Sequence, residues 1–113
     1  MVNLIQLTAV ILSGISVAVA DALIKKIAIS DNFWTVIKNP WIIAIFALYT
    51  AQVILFIYVF SHNWNLGIVG NTQMAFYSLT VVLSGLLLFG ETISLVQVLG
   101  IVLTLVGVIL MNQ

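Results

Sequence analysis

Three charged residues stand close together at the end of a long apolar stretch. They are Asp21, Lys25 and Lys26, and Asp21 is the one acid within such a stretch. Two kinds of chemistry suit a carboxylate there. On a helix it forms an i,i+4 ion pair with Lys25; kept from water, it exchanges a proton for a bound solute. Lys25 and Lys26 either extend their charged heads to the lipid headgroups or bind an anionic headgroup.

A second constellation is neutral. Tyr49, Gln52, Phe56 and Phe60 follow i, i+3, i+7, i+11 spacing, and Gln73, Tyr77, Thr80 and Ser84 follow i, i+4, i+7, i+11. At helical periodicity each set shares one face. Two amide–tyrosine pairs at matching depth can line an uncharged, hydrogen-bonding pocket. The plainer alternative is that such side chains hold helices together, at about 0.6 kcal/mol per contact in a membrane. Thr80 is read in that plainer way. Gly67, Asn71, Ser78 and Gly85 occupy the opposite side of the same stretch.

Other chemistry is excluded by what the sequence lacks. Cys is absent and His62 is the single histidine. No thiol nucleophile, Cys-ligated metal or disulfide is possible, and no Ser/His/Asp set can assemble from one loop histidine and one span-edge acid. No Walker-type phosphate loop occurs. No catalytic residue, metal or cofactor is expected, and the chain is not read as an enzyme.

The elements that must position these residues are four apolar stretches, about 4–24, 41–60, 66–89 and 95–111. Each approaches or exceeds the ~20 residues that a helix needs to cross ~30 Å of hydrocarbon. Hydrophobic residues make up 64% of the 113 and charged residues 5%, with mean hydropathy +1.32. The expected fold is one compact, all-α domain of four transmembrane helices, 1–113. Three lysines and three acids give no net charge, hence no basic patch for nucleic acid. The first stretch follows Met1, Val2 and Asn3 without a basic segment, so it reads as a retained span and not a cleaved signal.

Loop one, about 25–40, carries Lys25, Lys26 and Lys38, all the lysines of the chain, together with Asp31 and Pro40. Lysine-bearing loops face the cytoplasm, so loop one is assigned there. Loop two (61–65) and the C-terminus then lie outside, and the turn at Gly90-Glu91-Thr92 lies inside. Pro40 suits the start of a helix, and Trp34, Trp41 and Trp64 fall at span edges or in loops, as interfacial aromatics do.

Along the first span, Asn3, Gln6, Ser13, Gly14, Val17, Asp21 and Lys25 fall within about one third of the helix circumference. This stripe is expected to look into the bundle, with Gly14 and Ala18 small enough to admit another helix or a ligand. On the fourth span, Gly100 and Gly107 are seven residues apart with Thr104 beside them. That seam is expected to meet a second subunit, because one small domain cannot enclose a wide solute path.

These residues resemble the drug/metabolite transporter superfamily in its minimal four-helix form. The segment 18–28, with its lysines after small residues, is similar to the end of that superfamily's first helix. Leu66-Gly67-Ile68-Val69 resembles the start of its third. Leu88-Phe89-Gly90-Glu91-Thr92-Ile93, followed by Gly100 and Gly107-Val108, resembles its Gly-Glu turn and last-helix glycine seam.

The resemblance implies a small secondary transporter or flippase subunit in a bacterial or archaeal cytoplasmic membrane. It would alternate access as a homodimer, or as a heterodimer with a related small subunit. Subunits that flip a lipid-linked aminosugar are one similar group, and they favour a small polar metabolite or lipid-linked sugar as substrate. Small multidrug resistance exporters, which exchange protons for cationic drugs, are the other. In an ungapped alignment Gly14 stands at the position of their membrane glutamate, and in one anchored on Lys25 or Lys26 Val17 or Ala18 does, none of them a carboxylate. A third expectation is a non-transporting subunit that stabilises a partner. Substrate contacts are assigned to Gly14, Tyr49, Gln52, Gln73 and Tyr77, coupling or headgroup contacts to Asp21, Lys25 and Lys26, and the dimer seam to Gly100, Thr104 and Gly107.

Overall fold

A computed structural model describes residues 4–29 and 31–112; Asn3, placed on the polar stripe of the first span, lies outside them. Five helices follow in order: α1 (Leu4–Ala28), α2 (Phe33–Ile37), α3 (Trp41–Phe60), α4 (Leu66–Leu88) and α5 (Leu95–Met111). The four long ones start where the apolar stretches start. Pro40 stands at the N-cap of α3. Asn65 caps α4, its side chain accepting from the Gly67 N–H, and Ser94 and Gln97 form a reciprocal capping box on α5, satisfying donors that the first turn leaves open.

Besides α4 ending at Leu88 and not at 89, two features differ from the sequence reading. The first helix runs four residues beyond 24, because Lys25 and Lys26 fall in its last turn, where cations meet the negative end of the helix dipole. Within loop one the chain forms α2, whose cap Asn32 accepts from the Thr35 N–H at 2.9 Å. Phe33 and Trp34 of α2 pack edge to face at 5.4 Å and remain largely exposed, as in an interfacial turn.

Helices α1, α3 and α4 are long and apolar enough to cross a membrane, and α5 is a shorter apolar helix of 17 residues. The chain is an integral membrane protein by that criterion. Its outer surface is apolar along whole helix faces, with Leu87 80% and Val96 81% exposed, as lipid contact requires.

The packing is a row and not a closed bundle. Both α3 and α4 lie against α1, and α5 lies chiefly against α4. Four helices in line at ~9 Å spacing extend about 32 Å, whereas a two-by-two bundle extends about 14 Å. The observed cross-section is 36 × 17 Å, with a length of 48 Å. The compact bundle expected from the sequence is therefore replaced by an open layer with α1 and α4 inside and α3 and α5 at its edges.

Small side chains make the close contacts. Ala18, Ala20 and Ser13 of α1 and Ala75 of α4 are 0–1% exposed. This is how membrane helices gain dispersion contacts without a hydrophobic driving force. Towards the loop-two end, Val10, Val59 and Val69 form one cluster, with Phe56, Phe60 and Trp64 packed around it. Towards the other end, Ala20, Ile27 and Ile45 form a second.

Candidate functional site

Asp21 lies seven residues before the end of α1, about 10 Å down its axis. It is thus well inside the helix and not at its mouth. The flanking helices α3 and α4 each turn a tyrosine towards it. The Tyr49 hydroxyl donates to Asp21 Oδ1 and the Tyr77 hydroxyl donates to Asp21 Oδ2. A carboxylate has about four acceptor positions, so this clamp leaves half of them for another donor. Hydrogen bonds to a charged acceptor contribute about 1.5–3 kcal/mol each, well above ordinary interhelical contacts.

The expected Asp21–Lys25 ion pair does not form. Lys25 instead pairs with Glu91, which is 66 positions away in sequence. The reason is topological. Gly90 adopts φ +63°, a left-handed conformation that glycine takes readily. The chain then folds back so that the Glu91 N–H donates to the Gly85 carbonyl at 2.9 Å. That turn delivers the Glu91 carboxylate to Lys25, whose ammonium also sits 4.9 Å from the Phe89 ring centroid, in cation–π range. With side chains 46% and 48% exposed, the pair contributes only about 0–1 kcal/mol. It can open thermally.

Asp21, Lys25 and Glu91 line one cavity of ≈ 200 Å³, with Ala18 and Ala22 of α1 on one side and Ser84 and Gly85 of α4 on the other. A second cavity of ≈ 440 Å³ lies between α4 and α5, lined by Ser78, Gln97, Gly100 and Thr104. Glu91 and Val81 line both. A smaller one, ≈ 150 Å³, contains Lys26, Ser84 and Phe89.

The two tyrosines therefore come together, but on a carboxylate and not with their amides. Gln52 is half-buried on α3, one turn beyond Tyr49. Gln73 meets Gly14 at the α1/α4 crossing: a Cβ on Gly14 would lie 2.7 Å from the Gln73 carbonyl oxygen. Gly14 thus receives another helix. Thr80, read as interhelical glue, donates to the Phe76 carbonyl of its own helix at 2.8 Å, a common outcome for helical threonine. Gly100 and Gly107 face open space within the chain, with nothing beyond the adjacent backbone of α5 within 4 Å of an added Cβ.

Glu91 is the site residue that sequence reasoning missed, having been seen only as part of a turn. The signal was the pair Gly85 and Glu91. A Cβ at Gly85 would overlap the Glu91 carboxylate, so the glycine seats it. Comparison of the chain with protein-family models, curated proteins and solved structures finds no match.

Proposed function

We propose that this chain is a small secondary transporter or flippase subunit, similar to the drug/metabolite transporter superfamily. In this reading it crosses a cytoplasmic membrane four times and works as a dimer. The observation that carries the reading is the convergence of Tyr49 and Tyr77 on Asp21. An ionisable residue at membrane depth is costly and is kept for function. This one borders a cavity and is held by both neighbouring helices, so a change at the carboxylate moves both. Hydroxyl-clamped, it is preorganised to receive a donor from a small polar metabolite or the head of a lipid-linked sugar.

In the dimer, the open face of the α3–α1–α4 layer would be closed by a second copy or a related small subunit. Rocking of the two layers would alternate access to Asp21, in the manner of repeat-built transporters. The Gly100, Thr104 and Gly107 seam of α5, which borders the α4–α5 groove, would hold the pair.

A specific observation favours a second reading, proton-coupled export of organic cations. The cavity carries two carboxylates, Asp21 and Glu91, against one ammonium, Lys25. A carboxylate that alternately binds a proton and a cation couples the two fluxes.

Reconstituted proteoliposomes separate the readings. Transfer of a fluorescent lipid-linked sugar between leaflets supports the first. Accumulation of a quaternary ammonium dye under an imposed pH gradient supports the second. Asp21→Asn should abolish whichever is found. Neither activity, from folded and dimeric protein, would leave only the role of a stabilising subunit and overturn both.

A further inference from the structure

We propose that the Glu91 side chain is a gate. Seated on Gly85 and held by Lys25, it separates the Asp21 cavity from the groove between α4 and α5. Its withdrawal joins the two into one continuous path. This goes beyond the transport reading, because it concerns access to Asp21 whether or not a solute is carried.

Four observations carry it. The ≈ 200 Å³ and ≈ 440 Å³ cavities share two wall residues, Glu91 and Val81. Val81 is short and stiff at χ1, whereas Glu91 has three rotatable bonds, so Glu91 is the wall that can move. Its backbone is pinned, with the N–H bonded to the Gly85 carbonyl at 2.9 Å beyond the left-handed Gly90. Motion is thereby confined to the side chain. The seat is fitted, because any Cβ on residue 85 would occupy the space of the Glu91 carboxylate.

The latch comes from a different helix. Lys25 of α1 reaches across to Glu91, so opening the gate breaks the ion pair that joins α1 to the α4–α5 turn. When Glu91 leaves, Lys25 keeps a partner in the Phe89 ring at 4.9 Å. Both charged side chains are about half exposed, so no packing locks them shut. Water and ions reach the latch, and ionic strength should loosen it.

The chain contains no cysteine, so a single introduced thiol reports access directly. Ser84 lines the Asp21 cavity and the ≈ 150 Å³ cavity but not the groove, so the parent rate sets the baseline and the rate added on opening reports passage by Glu91. The experiment measures how fast a neutral, hydrophilic maleimide modifies Ser84→Cys in proteoliposomes. Glu91→Gln and Lys25→Met break the latch, and Gly85→Ala unseats Glu91 while leaving both charges in place.

Each should speed modification on the order of threefold to fivefold, the shift that an exposed ion pair exerts on a two-state equilibrium. The exchanged pair Lys25→Glu with Glu91→Lys should return the rate towards that of the parent. Should a single variant fail to elute as folded protein, Gly85→Ala and the parent at raised ionic strength give the same readout without removing a charge. Rates unchanged by Gly85→Ala and by salt overturn the gate. So does an exchanged pair as fast as the single variants.

Discussion

Gly14 and Gln73 meet backbone to backbone, with the Gln73 carbonyl oxygen 2.7 Å and the Tyr77 amide nitrogen 3.2 Å from where a Cβ on Gly14 would stand. This crossing sets the register of α1 against α4. One turn beyond Gln73 is Tyr77, and two turns beyond Gly14 is Asp21, on helices that run in the same direction. The contact that brings the backbones together is thus also what brings hydroxyl to carboxylate.

Gly14→Val should therefore destabilise the protein by about 1–3 kcal/mol, the usual cost of overpacking a tight contact. Thermal unfolding in detergent measures it. Gly70→Val serves as the control on α4, because nothing lies within 4 Å of a Cβ added there. Equal losses in both variants would mean that α1 and α4 do not cross at Gly14.

The tyrosine clamp predicts energetic coupling. Tyr49→Phe and Tyr77→Phe each delete one hydrogen bond to Asp21, at about 1.5–3 kcal/mol apiece for a charged acceptor. In an Asp21→Ala background the same substitutions should cost much less, leaving coupling energies of about 0.5–3 kcal/mol for residues in direct contact. Additive losses would show that the hydroxyls act elsewhere.

The spans were legible in the sequence because lipid imposes one rule on every residue of a crossing helix. Starts at Leu4, Trp41, Leu66 and Leu95 follow from hydropathy and caps alone. The partner of Lys25 was not legible. From sequence Asp21 is its neighbour four residues away, whereas Glu91 is brought to it only by a left-handed glycine and a turn 66 positions on. The tyrosines were placed on the correct faces but given amide companions. Periodicity gives a residue's azimuth, while its partner depends on the depth at which helices cross, and that is decided by Gly14. The row arrangement, with α1 and α4 inside, was hidden for the same reason. An amphipathic stripe says that a face is buried, and not against how many neighbours.

The α5 seam predicts assembly without cost to the subunit. Beyond the adjacent backbone of α5 itself, nothing in the chain lies within 4 Å of a Cβ added at Gly100 or Gly107. Leu at either position should leave subunit unfolding within about 0.5 kcal/mol of the parent, as for exposed sites. The same change should weaken dimerisation by about 1–3 kcal/mol if the seam packs closely on a second subunit. Cross-linking and analytical ultracentrifugation in detergent read the two effects apart. Dimers that survive both substitutions unchanged would move the interface to the open α3–α1–α4 face.

Orientation is the last prediction, and α5 decides it. Lys25 and Glu91 meet at one end of the layer, and loop one holds every lysine of the chain, so that end should face the cytoplasm. The C-terminus emerges on the other side only if α5 crosses. Its 17 residues extend about 26 Å, some 4 Å short of the ~30 Å hydrocarbon thickness. Local thinning of the bilayer covers such a gap at fractions of a kcal/mol per Å, and the polar Ser94 and Asn112 at its two ends suit the interfaces. Crossing should therefore win. A reporter fused after Gln113 should be active when it needs the periplasm and silent when it needs the cytoplasm. Activity of the cytoplasmic reporter alone would mean that α5 does not span. Activity of both would mean that the chain inserts in two orientations, and would make the dimer antiparallel.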